Sequence, residues 1–265
     1  YKKFVHEVAS LGLDEIGLYT TGEPFINRDL HIYINLAKKI GIKRIYLTTN
    51  GSLANVEYVE KCINNGLNSI KFSINAGDKE TYKLIHGKDD WDKLLKNVKD
   101  IHELKIRKYN KLELFCSCII TGLSEPNDLM DKHRTIFNKY FNFIGYYPVQ
   151  TQGGRNNYKI NKLSLEKDKI SNIQIKLEDK SNCCNMLWNR WHLTCEGYLT
   201  CCCVDYENDL VYGDINYKSA AEEWNNKLMQ DLRLKHINNT THGTICYNCI
   251  YGKDEKYRPV STIGK

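Results

Sequence analysis

Apolar residues over the first 150 positions switch repeatedly between a helical and a strand period. Phe4, Val5, Val8 and Ala9 share one face of a helix over residues 1–11, and Gly12 stops it. A short strand, 15–20, runs into Thr21-Gly22-Glu23-Pro24. Asn27 caps a predicted helix over 28–40, with Leu30, Ile34 and Ala37 inward and Gly41 at its end. Residues 44–48 read as strand, 54–65 as helix, and 69–74 as strand ending at Asn75-Ala76-Gly77. Helices over 79–85 and 91–106, a strand over 111–120, a helix over 127–141 and a strand over 143–149 continue the series. Such alternation with short connections is the signature of a parallel sheet covered by helices. Right-handed crossovers bring the C-terminal ends of the strands to one rim, where ligands bind. An open sheet and a partial barrel both satisfy this pattern.

From 151 to about 182 the chain turns polar, including Gly153-Gly154-Arg155, and reads as a connection between domains. Arg155 could meet an anionic substrate, although a solvated loop arginine is the plainer reading. A cysteine-rich module follows at 183–252, then a tail at 253–265. Within the module, Trp224, Leu228 and Leu232 form one stripe of a helix predicted over 222–236.

The chain has 265 residues, 42% hydrophobic and 26% charged, enough for one full domain with a small appendage. Its net charge of +6 is scattered, which argues against nucleic acid and for a solvated surface. No apolar run approaches the ~20 residues of a membrane span, and no secretory leader is visible. Eight of the eleven cysteines crowd into one end of a mid-sized chain, which suits a metal–sulfur site in a reducing cytoplasm better than disulfides. Residue 1 is Tyr, and the expectation is that the natural N-terminus lies upstream.

The cysteines carry the strongest chemistry. They read Cys184-x12-Gly197-x4-Cys202, then Cys246-Tyr-Asn-Cys249 after a long gap. Two thiolates of a C-x-x-C turn can reach one ion, and two more complete a tetrahedral zinc site or an iron–sulfur cube. Gly197 is placed to turn a hairpin that carries Cys202 back. Strand alternation would point Cys201 and Cys203 away from Cys202, while Cys195 is a bystander or substitute ligand. Cys62, Cys116 and Cys118 are expected to be packing residues.

Four strand ends carry polar or glycine-rich segments: Gly22-Glu23-Pro24, Thr49-Asn50-Gly51, Ser73 with Asn75, and Cys118-x-Ile120-x-Gly122-x-x-Glu125. Each alone is an ordinary turn. Together, on successive parallel strands, they describe a small-molecule site. An ordinary nucleotide-binding enzyme fits poorly, because no strand is followed by a phosphate-binding glycine loop.

Taken in order, Thr21-Gly22-Glu23-Pro24, Leu47-Thr48-Thr49-Asn50-Gly51 and Phe72-Ser73-Ile74-Asn75-Ala76-Gly77 resemble the radical S-adenosylmethionine (radical SAM) family. The tail, with Trp188, Asp205 and the four cysteines, resembles its SPASM or twitch extension. The resemblance covers roughly residues 15–252 and implies a partial (β/α)6 barrel over 1–150, followed by an iron–sulfur domain over 183–252. It places Gly22 and Glu23 at the methionine amino group of the cofactor, with Asn50 also in its site. Ser73 and Asn75 fall at the ribose and carboxylate, with Asn75 where an Asp often stands, and Ile120 and Gly122 near the adenine. Cys118 replaces a usual Gly.

The same resemblance makes Cys184, Cys202, Cys246 and Cys249 ligands of an auxiliary [4Fe-4S] cluster. The family's Cys-x3-Cys-x2-Cys motif is absent from these residues and is expected with the first βα unit upstream of Tyr1, so this stretch alone should not form a radical. An oxidoreductase or maturase-type enzyme is implied, acting on a peptide or small molecule with flavodoxin or ferredoxin as electron donor. The rival is a non-catalytic module in which the four cysteines hold structural zinc and the barrel binds a partner.

Overall fold

The computed structural model describes residues 1–120, 126–149, 153, 183–203, 205–251 and 253–265. The chain divides into two compact units, one formed by Gly12–Val149, the other by Tyr1–Leu11 with the described residues of 183–265.

The first unit is a five-stranded parallel sheet in the order β1 (Glu15–Gly17), β2 (Arg44–Thr49), β3 (Ser69–Ser73), β4 (Glu113–Ile120), β5 (Phe143–Pro148). Its helices are α2 (Leu30–Ile40), α3 (Val56–Asn64), α4 (Lys79–His86), α5 (Trp91–Lys108) and α6 (Pro126–Phe137). Consecutive strands pair throughout, as in a barrel wall wound in one direction. A parallel sheet of this kind fits the partial α/β barrel expected from the sequence.

Side chains alternate between two faces. Ile45, Leu47, Ile70, Phe72, Leu114, Cys116, Cys118 and Ile120 are all buried. Their face is the helix side, since Phe72 meets Phe141 at 5.5 Å between ring centroids and Cys116 lies against His133 of α6. The other face carries Tyr46, Thr48, Lys71, Ser73, Phe115 and Ser117, and is the polar interior of the wall.

Local chemistry sets the ends of these elements. Asn55 Oδ1 accepts from Tyr58 N and caps α3, and Asp78 Oδ1 accepts from Thr81 N to cap α4. The cap predicted at Asn27 acts elsewhere: its side chain accepts from Asp29 N, so α2 begins at Leu30. A 3-10 turn, Pro24–Ile26, precedes it, and β1 ends at Gly17, short of Thr20.

The second unit begins with α1 (Lys2–Ser10), which groups by contact with the cysteine-rich residues. Phe4 meets the edge of Trp191 at 6.1 Å, Lys3 Nζ donates to Ile215 O, and Glu7 Oε1 accepts from Ala221 N. The sequence pattern put residues 1–11 with the barrel because an amphipathic stripe does not say which core it serves.

An antiparallel sheet follows in the order β6 (His192–Leu193), β7 (Tyr198–Thr200), β8 (Val211–Asp214). Gly197, at φ +97°, makes the β6–β7 turn as expected. The helices are α7 (Met186–Asn189), α8 (Ala220–Trp224), α9 (Lys227–Ile237) and α10 (Ile245–Tyr251). The helix predicted over 222–236 is thus two helices. Asn226 breaks it by leaving helical geometry and accepting from Met229 N as the cap of α9. The buried stripe becomes Met229, Leu232 and His236, one position off the predicted Leu228.

Residues 253–265 also fold back. Val260 N donates to Asp209 O, Ser261 Oγ to Val211 O, and Lys265 pairs with Asp209. The predicted connection over 151–182 lies outside the described residues apart from Gly153. Among the described residues, no helix is long and apolar enough to cross a membrane.

Candidate functional site

The rim at the C-terminal ends of the strands is tied together by one carboxylate. Glu23, from the segment after β1, accepts from Thr49 Oγ1 at 2.7 Å and Phe25 N at 3.1 Å on one oxygen, and from Asn50 N at 2.8 Å on the other. It therefore fixes the β2 rim, while Oε2, with a single bond, keeps a lone pair for a further donor. Asn50 Oδ1 in turn accepts from Ser52 N and Oγ, and Asn97 of α5 donates to the carbonyls of Gly51 and Ser52. Beside them Gly22 is open, and a Cβ added there meets no atom within 4 Å.

Ser73 and Asn75 end β3 together. Ser73 Oγ lies 3.3 Å from Ser117 Oγ across the β3–β4 pair, and Asn75 Oδ1 accepts from Ile119 N at 2.9 Å. That bond orients the Asn75 amide, whose Nδ2 has no partner among the described residues and is left to donate. Ile120 is placed differently from the expectation. It shares the helix-side face with Cys116 and Cys118, whereas Ile119 follows Ser117 onto the interior face. Gly122 and Glu125 lie outside the described residues.

Several residues at this rim act in ways that the sequence did not show. Thr49, Asn97 and His133 act through bonds to other segments. Alternation along β4 puts Ser117 on the face away from Cys116 and Cys118, and the β3–β4 register sets it opposite Ser73.

These residues fit S-adenosylmethionine. The open space at Gly22 admits a close-lying ligand, and Ser73 and the Asn75 amide offer hydrogen-bonding groups to ribose or carboxylate oxygens. One strand pair away, the buried Thr48 Oγ1 has no hydrogen-bond partner among the described residues.

The cysteines divide as their burial suggests. Cys62, Cys116 and Cys118 are at most 2% exposed and sit in the apolar core, where burial raises the thiols of Cys62 and Cys118 to about 12. In the second unit, Cys246 and Cys249 lie on helix α10 rather than in a turn; three residues apart, they share a helix face. Burial, then Cys184 and Cys249, pushes the Cys246 thiol up to about 12. Burial, then Cys184 and Cys203, raises that of Cys249. Cys184 thus belongs to the electrostatic surroundings of both Cys246 and Cys249, a set of thiols suited to a bound cation.

The run 201–203 lies beyond the end of β7 at Thr200, so strand alternation does not govern it. Cys201 is 3% exposed, with its sulfur against Met229 Sδ at 3.6 Å. Hydrogen bonds from Cys202 and then His192 hold the Cys203 thiol well below the ordinary range. His192 Nδ1 is buried and without a partner among the described residues. No three Cys, His, Asp or Glu side chains among the described residues converge at metal-binding distance. Cys184, Cys246 and Cys249 share one neighbourhood, and of the run 201–203 it is Cys201, beside Cys246 and Cys184, and Cys203, beside Cys249, that reach it.

Comparison with known proteins finds a domain model for each part of the chain, the first taking in α1. Residues 2–133 match the family model of the radical SAM superfamily, and residues 183–250 match the SPASM iron–sulfur cluster-binding domain. The molybdenum cofactor biosynthesis protein moc-5 of Caenorhabditis elegans is 28% identical over 193 residues, 68% of this chain and 30% of its own. A probable GTP 3',8-cyclase of Sulfurisphaera tokodaii is 35% identical over 104 residues, 38% of this chain and 33% of its own. The chain spans about a third of the length of these curated relatives.

Among solved structures, BtrN in complex with AdoMet and 2-DOIA has a TM-score of 0.59 at 14% identity, covering 97% of this chain and 82% of that one. Streptococcus suis SuiB bound to S-adenosylmethionine has a TM-score of 0.60 at 15% identity, covering 88% and 59%. Members of this superfamily are enzymes, and the two domains imply S-adenosylmethionine and [4Fe-4S] clusters as cofactors. With a partial parallel barrel that ends in a polar rim and a cysteine-rich domain after it, the chain belongs to the radical SAM superfamily and carries a C-terminal SPASM domain.

Proposed function

We propose that this chain binds S-adenosylmethionine at the Gly22–Glu23–Asn50–Ser73–Asn75 rim and an auxiliary [4Fe-4S] cluster at Cys184, Cys202, Cys246 and Cys249, as part of an enzyme that abstracts hydrogen from a peptide or small molecule. The observation that carries the reading is the tying of the β1 and β2 ends by Glu23, and of β3 to β4 by Asn75 and the Ser73–Ser117 pair, beside the open space at Gly22. The cluster of a Cys-x3-Cys-x2-Cys motif, not the auxiliary one, would pass one electron to S-adenosylmethionine, giving methionine and a 5′-deoxyadenosyl radical. The residues of this chain bind and orient: Glu23 stiffens the rim, Ser73 and the Asn75 amide meet ribose or carboxylate, and the polar interior around Thr48 and Lys71 receives the substrate. Gly122, in the same motif as Ile120, belongs to the adenine side of this reading. Flavodoxin or ferredoxin is the fitting class of electron donor. The cyclase named among the relatives and the precursor peptide bound by SuiB mark the two substrate classes to try.

Two measurements on the full-length protein test the proposal. Anaerobic protein should contain iron and sulfide and absorb broadly near the blue end of the visible range; colourless protein with stoichiometric zinc supports the non-catalytic module instead. Replacing Ser73 and Asn75 together by Ala should weaken S-adenosylmethionine binding about tenfold, the value of two lost hydrogen bonds. Unchanged affinity removes both residues from the site.

A further inference from the structure

A parallel ladder continued past Ser73 would have a fixed pattern. Ile74 N donates to Ser117 O at 3.0 Å, so the next bond of the ladder would run from Ile119 N to Ile74 O. That bond is replaced. Ile119 N donates instead to the side chain of Asn75 at 2.9 Å, and the carbonyl of Ile74 is released from the sheet. His133, on α6, takes it up, with Nε2 3.1 Å from Ile74 O.

We propose that His133 is the positioning residue of the S-adenosylmethionine site: by holding the released Ile74 carbonyl it lets Asn75 enter the ladder and sets Ser73 and Asn75 on either side of it. This rests on the reading of Ser73 and Asn75 given above.

The surroundings of His133 suit the task. The ring is fully buried; Nε2 faces Ile74 O, which can only accept, and Nδ1 lies 3.2 Å from the hydroxyl of Tyr146, itself 3.4 Å from Met130 O. The tautomer is thereby fixed with the proton on Nε2, the nitrogen facing Ile74. Burial lowers the imidazole to about 4, so it is neutral near neutral pH. Helix α6 also lies close against the same turn. A Cβ at Gly77 would come within 2.7 Å of Lys132 Cβ and 3.0 Å of His133 N. A histidine that merely filled the core would have no reason to end on the one carbonyl that the Asn75 side chain displaces.

The experiment is S-adenosylmethionine titration of the anaerobic full-length protein and its variants. His133→Phe fills the space but has no donor and should weaken binding about tenfold. His133→Gln keeps an N–H within reach and should stay within about threefold. Because His133 acts through Ser73 and Asn75, adding His133→Phe to Ser73→Ala with Asn75→Ala should weaken binding no further.

Additive losses overturn the proposal and leave His133 a core residue. Wild-type affinity in His133→Phe overturns it too, if the Ser73–Asn75 variant is weakened. If the Ser73–Asn75 variant itself binds normally, the underlying assignment of the site fails and the inference with it. Should His133→Phe not fold, Tyr146→Phe removes the hydroxyl beside Nδ1 that steadies the ring and should weaken binding about threefold. No change there counts against the proposal.

Discussion

At the scale of single residues, the rim departs most from a reading of side chains as free ligand groups. Glu23 accepts from three donors of its own chain, so Glu23→Gln turns an amide N–H2 toward at least one of them. The expected effect is a loss of roughly 1–3 kcal/mol, read as a lower denaturant midpoint with an unchanged slope. Asn75 has the opposite character, because one end of its amide is bound to Ile119 and the other is left for a ligand. Asn75→Asp keeps an acceptor for Ile119 N and can still accept from a ribose hydroxyl. Its S-adenosylmethionine affinity should stay within about threefold of wild type, whereas Asn75→Ala loses both interactions. Among the cysteines, Ala at 184, 202, 246 or 249 should lower iron and sulfide in anaerobic protein, and Ala at 62, 116 or 118 should not. If Cys203→Ala loses iron while Cys202→Ala keeps it, the ligand from that run is the one beside His192.

Elements decide how those residues are presented. Helix α6 reaches the end of β3 through His133, whose imidazole is depressed from the usual 6.5 to about 4 by burial. A depressed histidine stabilises the fold above its unfolded value, and that contribution is lost as pH falls from about 6.5 through about 4. For a group this buried the loss is about 3 kcal/mol. Thermal melts over that window should show a steep fall in Tm, flattened in His133→Gln, which has no proton to gain. A slope unchanged in that variant would assign the acid sensitivity elsewhere. Helix α10 plays the matching part in the second unit. One helical turn brings Cys246 and Cys249 to the same face, where an irregular loop would leave their spacing free.

At the scale of the molecule, two units form from segments that are not consecutive in the chain. Helix α1 packs with residues 183–265, through Phe4 on Trp191 and Trp191 stacked on Trp224 at 4.3 Å. Phe4 is 6% exposed, so Phe4→Ala should cost about 3 kcal/mol or more. The loss should fall on the cysteine-rich unit. Hydrogen exchange should rise in β6–β8 and α8 while β2–β4 stay protected, with a change in tryptophan emission. Equal loosening of the sheet β1–β5 would place α1 with the barrel after all.

The order of strands and helices in the barrel unit was legible in the sequence, because periods of 2 and 3.6 are local properties of the chain. So were the motif order and the C-x-x-C spacing, which carried the family and its cofactors. Local pattern also separated the core cysteines from those of the tail. Other features depended on partners distant in sequence. Glu23 meets Asn50 only once β1 and β2 lie side by side, and His133 meets Ile74 only when α6 returns over β3. The core that α1 joins, the break at Asn226 and the folding back of residues 253–265 are likewise outcomes of packing. A stripe, an asparagine or a polar tail has several local solutions, and tertiary contacts select among them.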